Sequence, residues 1–371
     1  MTKIIYGVCG EGSGHSSRAR EILNHLIDKG HQVKVVSYDK GYKNLQSDFD
    51  IVETEGLNIA SVDNKVSVVK TFTENIKKLS EGHKKVNELR ALFKSYQPDA
   101  VITDFEPMTA YLANHYDVPL ISLDNQHRMR YMIYESPNAL KKDQLITEAV
   151  IKAMVPKPDV SLVTTFYYGK VKNERTFLFP PILRQEVLEK KPGNGNHILV
   201  YLTSGYESFL DLLKQYDKET FIVYGYDEDR TEKNLIFKPF SRNEFLDNLA
   251  NSKAVFATAG FTLMTESFYL KKPYLALPMK GQFEQQLNAL WLEELNLGIN
   301  GSQVNYHQIG SFLYHAPEFQ LKLNQYKQKD QNEIKSKLDE LFASDCQLLQ
   351  EFHSNRKRLN KIPENAKTVD K

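Results

Sequence analysis

Two doubly wound α/β domains are the fold this sequence predicts, and three observations predict it. Short apolar runs recur through both halves, each bounded by Gly, Pro or polar turn residues, as buried parallel strands are. Amphipathic stretches at helical spacing separate these runs, so strand and helix alternate. A glycine-bearing polar run, Lys190-Lys191-Pro192-Gly193-Asn194-Gly195-Asn196, then divides the series into two halves that each open on a strand. The predicted organisation is a first domain over 1–189, a linker over 190–196 and a second domain over 197–345. A closing helix and tail over 346–371 are expected to cross back to the first domain.

The chain has 371 residues, enough for two or three domains that each bury a core. Charged residues make up 26% and the net charge is +1, so nothing in the balance points to nucleic acid. Cys9 and Cys346 stand far apart without metal-ligand spacing, which fits a reducing, cytoplasmic compartment. The N-terminal residues lack the apolar core of a secretory signal, and no apolar run approaches the ~20 residues of a membrane span. Any membrane contact is expected to be peripheral, on the inner face.

In order, residues 3–8 form the first strand and Gly10-Glu11-Gly12-Ser13-Gly14-His15 the turn after it. Ala19, Ile22, Leu23, Leu26 and Ile27 then line one face of a helix that Gly30 stops, and 32–37 is the second strand. Such a βαβ opening suggests a dinucleotide site, but the details oppose it. The glycines run G-x-G-x-G, no acid closes the second strand's apolar run except the late Asp39, and a histidine ends the loop. No Gly-Lys-Ser/Thr is present, which excludes a P-loop. Residues 49–54 are a third strand, and 66–96 read as a long charged helix with Leu79, Val86, Leu89 and Phe93 on one side. Residues 100–103 form a strand reaching Asp104, Pro107 suits the first turn of a helix to Tyr116, and 118–123 is the next strand. If the sheet is parallel, His15 and Asp104 share its carboxyl edge, with Glu106 beside them.

The stretch His127-Arg128-Met129-Arg130-Tyr131-Met132-Ile133-Tyr134 mixes Arg, Met and Tyr. It reads either as a surface for an anionic membrane or a polyisoprenoid phosphate, or as an ordinary loop before the helix carrying Leu145, Ile146, Ala149, Val150 and Met154. Residues 160–164 and 176–178 finish the first sheet. The second half restarts at 197–202 with Thr203-Ser204-Gly205 after it, and 220–224 and 235–237 continue its sheet up to Lys238-Pro239-Phe240-Ser241. The most informative segment is 254–291: strand 254–257, the turn Thr258-Ala259-Gly260, helix 262–270, strand 274–277, and a last helix. Phe283, Leu287, Leu290 and Trp291 share the core face of that last helix, which leaves Glu284 and Gln285 off it in the first turn. The ligand edge therefore carries Gly260, Phe261, Thr262, Glu266, Glu284 and Gln285. Helix-terminus amides can hold a diphosphate, a carboxylate can accept both ribose hydroxyls, and a carboxylate–amide pair can take two sugar hydroxyls. That chemistry suits a sugar nucleotide. Helices near 308–314 and 334–352 follow, Arg356-Lys357-Arg358 reads as a solvated end, and the tail from Pro363 reads as disordered.

Gly260-Phe261-Thr262-Leu263-Met264-Thr265-Glu266 and Pro278…Glu284-Gln285-Gln286…Asn288-Ala289 resemble the nucleotide-sugar half of GT-B glycosyltransferases. The similar families are the inverting UDP-sugar enzymes: the plant and animal UDP-glycosyltransferases and the lipid-linked N-acetylglucosaminyltransferase of peptidoglycan synthesis. The loop ending at His15 resembles their acceptor-facing Gly-Gly-His-type loop, where Gly12 and Gly14 would let backbone approach the substrate. The likeness covers 1–37, 98–123 and 197–291 and fades beyond Ala289.

The resemblance implies two Rossmann-like domains facing across a cleft (GT-B), with a UDP-sugar as substrate and an acceptor hydroxyl attacking with inversion. It places the nucleotide and diphosphate on Thr203, Ser204, Gly205, Phe240, Gly260, Phe261 and Thr262, the ribose on Glu266, and the donor sugar on Glu284, Gln285 and Gln286. In the plant enzymes a first-loop His pairs with an Asp at a strand end, and the match falls on His15 and Asp104. The chemical reason is direct: a neutral imidazole can take the acceptor's proton, and a carboxylate behind it fixes the tautomer and stabilises the imidazolium. The plainer reading has His15 capping its helix and Asp104 capping the helix at Pro107; Glu106 is the rival carboxylate. The resemblance implies no cofactor and no metal. The implied partners are the UDP-sugar and an acceptor left open, a lipid-linked or cell-envelope glycan precursor being one candidate. Met279-Lys280-Gly281-Gln282 departs from both families, so the donor sugar stays open too. A UDP-sugar epimerase and a non-catalytic sugar-nucleotide or glycolipid binder are the competing readings.

Overall fold

The computed structural model describes residues 1–56, 61–62, 65–66, 84–202, 205–326 and 329–361. In these residues the chain forms two compact units, Met1–Ile182 with Lys329–Lys371 and Leu183–Gln328.

The first unit carries strands β1 (Lys3–Val8), β2 (Gln32–Ser37) and β3 (Ile51–Glu53), a small antiparallel pair β4 (Ser61–Val62) and β5 (Lys65–Val66), then β6 (Ala100–Asp104), β7 (Leu120–Asp124), β8 (Val160–Thr164) and β9 (Thr176–Phe179). The main sheet runs β3-β2-β1-β6-β7-β8-β9 with every pair parallel. Strand order reverses between β1 and β6, where Val8 pairs with Asp104, and the carboxyl end of such a reversal is where open α/β sheets take ligands. β6, β7 and β8 are buried along their whole length, which is why the sequence shows them as unbroken apolar runs. Gly7 is required by packing: a Cβ there would meet Thr109 Oγ1 at 2.1 Å, because the helix Pro107–Tyr116 crosses the strand at close range.

The second unit repeats the plan. β10 (His197–Tyr201), β11 (Thr220–Tyr224), β12 (Arg230–Glu232), β13 (Leu235–Phe237), β14 (Ala254–Ala257), β15 (Tyr274–Ala276) and β16 (Gly298–Asn300) form a sheet ordered β12-β13-β11-β10-β14-β15-β16. Only β12–β13 is antiparallel, and the order reverses between β10 and β14.

Three expectations change. The predicted linker 190–196 belongs to the second unit, whose boundary falls at Ile182/Leu183. Its glycines are bonded rather than loose: Gly193 and Gly195 donate to the carbonyls of Ala250 and Asn251, both at 2.8 Å, and Lys272 Nζ donates to the Gly193 carbonyl at 2.6 Å. The return to the first unit comes at Lys329, ahead of the predicted 345/346 boundary, because Ile334, Leu338, Leu341, Cys346 and Leu349 pack into one cluster with Ile4, Tyr6, Leu23 and Leu26. Finally, Lys65–Val66 is strand, and the helix expected over 66–96 is seen as Lys84–Tyr96; the residues between lie outside the described ones.

Candidate functional site

In the first unit the turn after β1 feeds the helix Gly14–Asp28, and the turn after β6 feeds the helix Pro107–Tyr116. Gly10 lies so close to Tyr38 that a Cβ would meet its carbonyl oxygen at 2.2 Å. Gly12 is exposed at φ +73° with open space around it, and Gly14 begins the helix. His15 follows, and its Nδ1 stands 2.7 Å from Asp104 Oδ1. The imidazole keeps 13% of its surface exposed while the carboxylate has none. The two predicted residues therefore meet.

A third residue joins them that sequence reasoning passed over. Arg18, buried one turn along the same helix, forks onto Asp104: Nε donates to Oδ2 at 2.6 Å and Nη2 to Oδ1. Its Nη1 donates to Asn125 Oδ1 at 2.6 Å, and Nη2 lies 2.7 Å from His15 Nδ1. Burial by itself raises the Asp104 carboxyl, but Arg18 and His15 together hold it below its ordinary value. Asp104 is thus an ionised carboxylate shared by a guanidinium and an imidazole. The i, i+3 spacing of His15 and Arg18 was the available signal.

Glu106 has a different job from the one expected. Its buried side chain accepts from the N–H groups of Met108 and Thr109 at 2.9 and 2.7 Å and from the Thr109 hydroxyl at 2.6 Å. It is the N-cap of the helix Pro107–Tyr116, a role that the plain reading gave to Asp104. Phe105 makes this geometry by adopting φ +56°, which turns the chain between the two acids. Glu106 is fully buried and spends both oxygens on that cap.

At the end of β7 lies a second acid–imidazole pair, also unforeseen. Asp124 accepts from the backbone N–H of His127 at 2.8 Å and lies 2.7 Å from its Nδ1; the ring is fully buried, and Nε2 has no hydrogen-bond partner among the described residues. His127, Arg128, Met129 and Met132 are all interior, so the stretch proposed to meet a membrane is largely core, with Ile133 left exposed. No helix among the described residues is long and apolar enough to cross a membrane.

In the second unit, Gly260 is the N-cap of the helix Phe261–Tyr269 and offers no side chain to occupy that terminus. Phe261 is buried and Thr262 partly exposed in its first turn. Glu266, expected as an open carboxylate at the ligand edge, is buried and held by Arg184, whose Nε and Nη2 donate to its two oxygens at 2.8 and 3.0 Å. Burial pushes the Glu266 carboxyl up and Arg184 counters it. A carboxylate has about four acceptor directions, so this fork leaves one on each oxygen. Gly205 has φ +98° and donates its N–H to Glu207 Oε1 at 3.0 Å; Thr203 and Ser204 lie outside the described residues. Phe240 is 57% exposed, with its ring 5.6 Å from that of Phe245.

Glu284, Gln285 and Gln286 open the helix Phe283–Glu294 and are partly exposed. Gln285 accepts from the Met279 N–H at 3.1 Å and donates to Gln282 Oε1 at 2.8 Å, so it braces the loop before its own helix. The side-chain oxygen of Gln286 is buried without a hydrogen-bond partner among the described residues. Asn288 donates to the Ala259 carbonyl at 2.8 Å, which ties this helix to the turn after β14. No group of three or more His, Cys, Asp or Glu is placed to hold a metal among the described residues.

Comparison with known proteins bears on the family and the fold. The profile of the family described as Glycosyl transferase family 1 matches residues 2–317. An uncharacterized glycosyltransferase of Methanosarcina mazei is 24% identical over 332 residues, covering 80% of this chain and 84% of its own length. Among solved structures, a UDP-glucosyltransferase from Polygonum tinctorium superposes with a TM-score of 0.62 at 12% identity, covering 97% of this chain and 99% of the other. The Streptomyces sp. SF2575 glycosyltransferase SsfS6, complexed with thymidine diphosphate, gives 0.58 at 13% identity, covering 92% and 100%. The fold is that of the GT-B glycosyltransferases.

Proposed function

The chain belongs to glycosyl transferase family 1, and from that premise we propose that it moves a sugar from a UDP-sugar to an acceptor hydroxyl with inversion and without a metal ion. One observation carries the reading: the His15–Asp104 pair, 2.7 Å apart at the carboxyl end of the strand reversal, with only the imidazole open to solvent. With Nδ1–H donating to Asp104, Nε2 has the free electron pair that a general base needs. It takes the acceptor's proton as the acceptor oxygen bonds the anomeric carbon. The bond from that carbon to the phosphate oxygen breaks, and UDP leaves with the electron pair.

The second unit takes the nucleotide in this reading. The N-terminus of the helix Phe261–Tyr269 faces the departing diphosphate with its positive dipole end, and Gly205 lies on the turn after β10, at the same strand reversal. Glu266 accepts ribose hydroxyls with the acceptor positions Arg184 leaves, and Glu284 with Gln285 and Gln286 meets the sugar. The thymidine diphosphate held by SsfS6 supports a nucleoside diphosphate as the common ligand and makes dTDP the competitor to UDP.

Thermal stabilisation by UDP, dTDP, GDP and ADP in the presence of a chelator tests this. A ligand at a hundred times its Kd adds about 2.7 kcal/mol, a shift easily read in a melt. UDP is expected to stabilise most. Stabilisation by another nucleotide alone, or none until a divalent ion is restored, overturns the corresponding part. Release of UDP from the matching sugar nucleotide only when an alcohol acceptor is supplied separates transfer from epimerisation.

A further inference from the structure

Three atoms of the buried site form a triangle: Asp104 Oδ1, Arg18 Nη2 and His15 Nδ1, with the ring nitrogen 2.7 Å from each of the others. An ionised carboxylate only accepts hydrogen bonds and a guanidinium only donates them. The two contacts of Nδ1 therefore cannot both be hydrogen bonds. Either Nδ1 carries the proton and donates to Asp104, or it lacks the proton and accepts from Arg18, which would put the proton on Nε2 and disable that atom as a base. The fork from Arg18 to Asp104 chooses between them. Nε and Nη2 take one lone pair on each carboxylate oxygen, and Nη1 is committed to Asn125, so the guanidinium is pinned to the strand ends. Oδ1 keeps a second lone pair for the ring.

We infer that Arg18 is a positioning residue for His15: its fork fixes Asp104 so that the imidazole rests as the Nδ1–H tautomer, which leaves the lone pair on Nε2.

The purpose of the clamp rests on His15 being the base, but its test does not. The intact protein is labelled with ¹⁵N-histidine, His15 is assigned by its loss in His15→Ala, and the tautomer of the neutral ring is read in wild type, Arg18→Gln and Arg18→Lys. The wild-type ring is expected in the Nδ1–H tautomer. Neither Gln nor Lys can make the guanidinium fork, so both variants should show mixed tautomers. An Nε2–H ring in the wild type, or an unmixed tautomer in a folded Arg18→Gln, overturns the inference. If Arg18→Gln does not fold, an unmixed tautomer in Arg18→Lys overturns it equally. Undiminished turnover in His15→Ala would instead sink the base assignment and leave these spectra valid.

Discussion

Replacing Glu266 by Gln separates a structural carboxylate from a ligand-binding one. The Glu266 side chain is 3% exposed and that of Arg184 14%, and the two share a bidentate fork. Removing one partner of a buried ion pair costs about 3–5 kcal/mol, chiefly by stranding the other charge. Arg184 keeps some contact with water, and the Gln oxygen still accepts one ordinary hydrogen bond, worth about 1 kcal/mol. The expected loss is therefore about 2–3 kcal/mol, a drop of roughly 5–10 °C for a domain of this size. Thermal and urea unfolding followed by circular dichroism read it directly. Adding Arg184→Met to Glu266→Gln should recover about 1–2 kcal/mol, because the stranded charge goes with it. Binding is measured well below the melt with UDP and 2′,3′-dideoxy-UDP, and the mutation should weaken only the former. A variant that melts within about 1 °C of wild type would refute the reasoning, since the pair would then behave as a solvated surface contact.

Three further outcomes follow from the same geometry. His15→Ala should lower turnover by about 10²–10⁴ with UDP affinity nearly unchanged, and adding Asp104→Asn should cost little more; multiplying losses in a steady-state cycle would show that Asp104 acts independently. Glu106→Gln should cost about 1–2 kcal/mol in urea titrations through the lost cap while the folded enzyme keeps its kcat, and an inactive but fully folded variant would restore Glu106 as a base. Asp104, held below its ordinary 3.8, contributes stability that is present above that value and is lost as pH falls through the lower folded value; an unfolding midpoint in urea that is flat between pH 4 and 2 would contradict it.

What the sequence made legible was whatever depends on neighbours along the chain. β1, β6, β7 and β8 are buried strands and spell themselves as apolar runs, and Asp104 is visible as the polar residue that ends one of them. Parallel topology put His15 and Asp104 on one carboxyl edge, and the family resemblance supplied their pairing. Illegible were the contacts that close across sequence distance. Arg184 and Glu266 are 82 residues apart, so a carboxylate at a ligand edge looked open. Arg18 on an amphipathic helix reads as a solvent-facing cation unless its partner on β6 is known. The cap role moved from Asp104 to Glu106 because Phe105 takes a left-handed backbone that its residue type does not announce. The Gly-Pro-Asn run at 190–196 carries every mark of a linker, and only its hydrogen bonds to Ala250 and Asn251 show otherwise.

The inclusion of residues from 329 onward in the first unit has a consequence for the order of folding. The second unit is one continuous segment, Leu183–Gln328, and can close as soon as it has emerged during synthesis. The first unit cannot. Its cluster around Ile4, Tyr6, Leu23 and Leu26 waits for Ile334, Leu338, Leu341 and Leu349, and its seam pairs His25 with Asp339 and Thr2 with Cys346, 314 and 344 residues apart. Until those residues arrive, the part of the chain around Ile4 and Leu23 presents an apolar helix face and the flank of β1 to whatever is near. Contacts of such separation close slowly. A chain that stalls or is cut between 328 and 349 would carry a finished second unit behind an unfinished first one, and would be captured by chaperones or aggregate through the face the last helix should have covered.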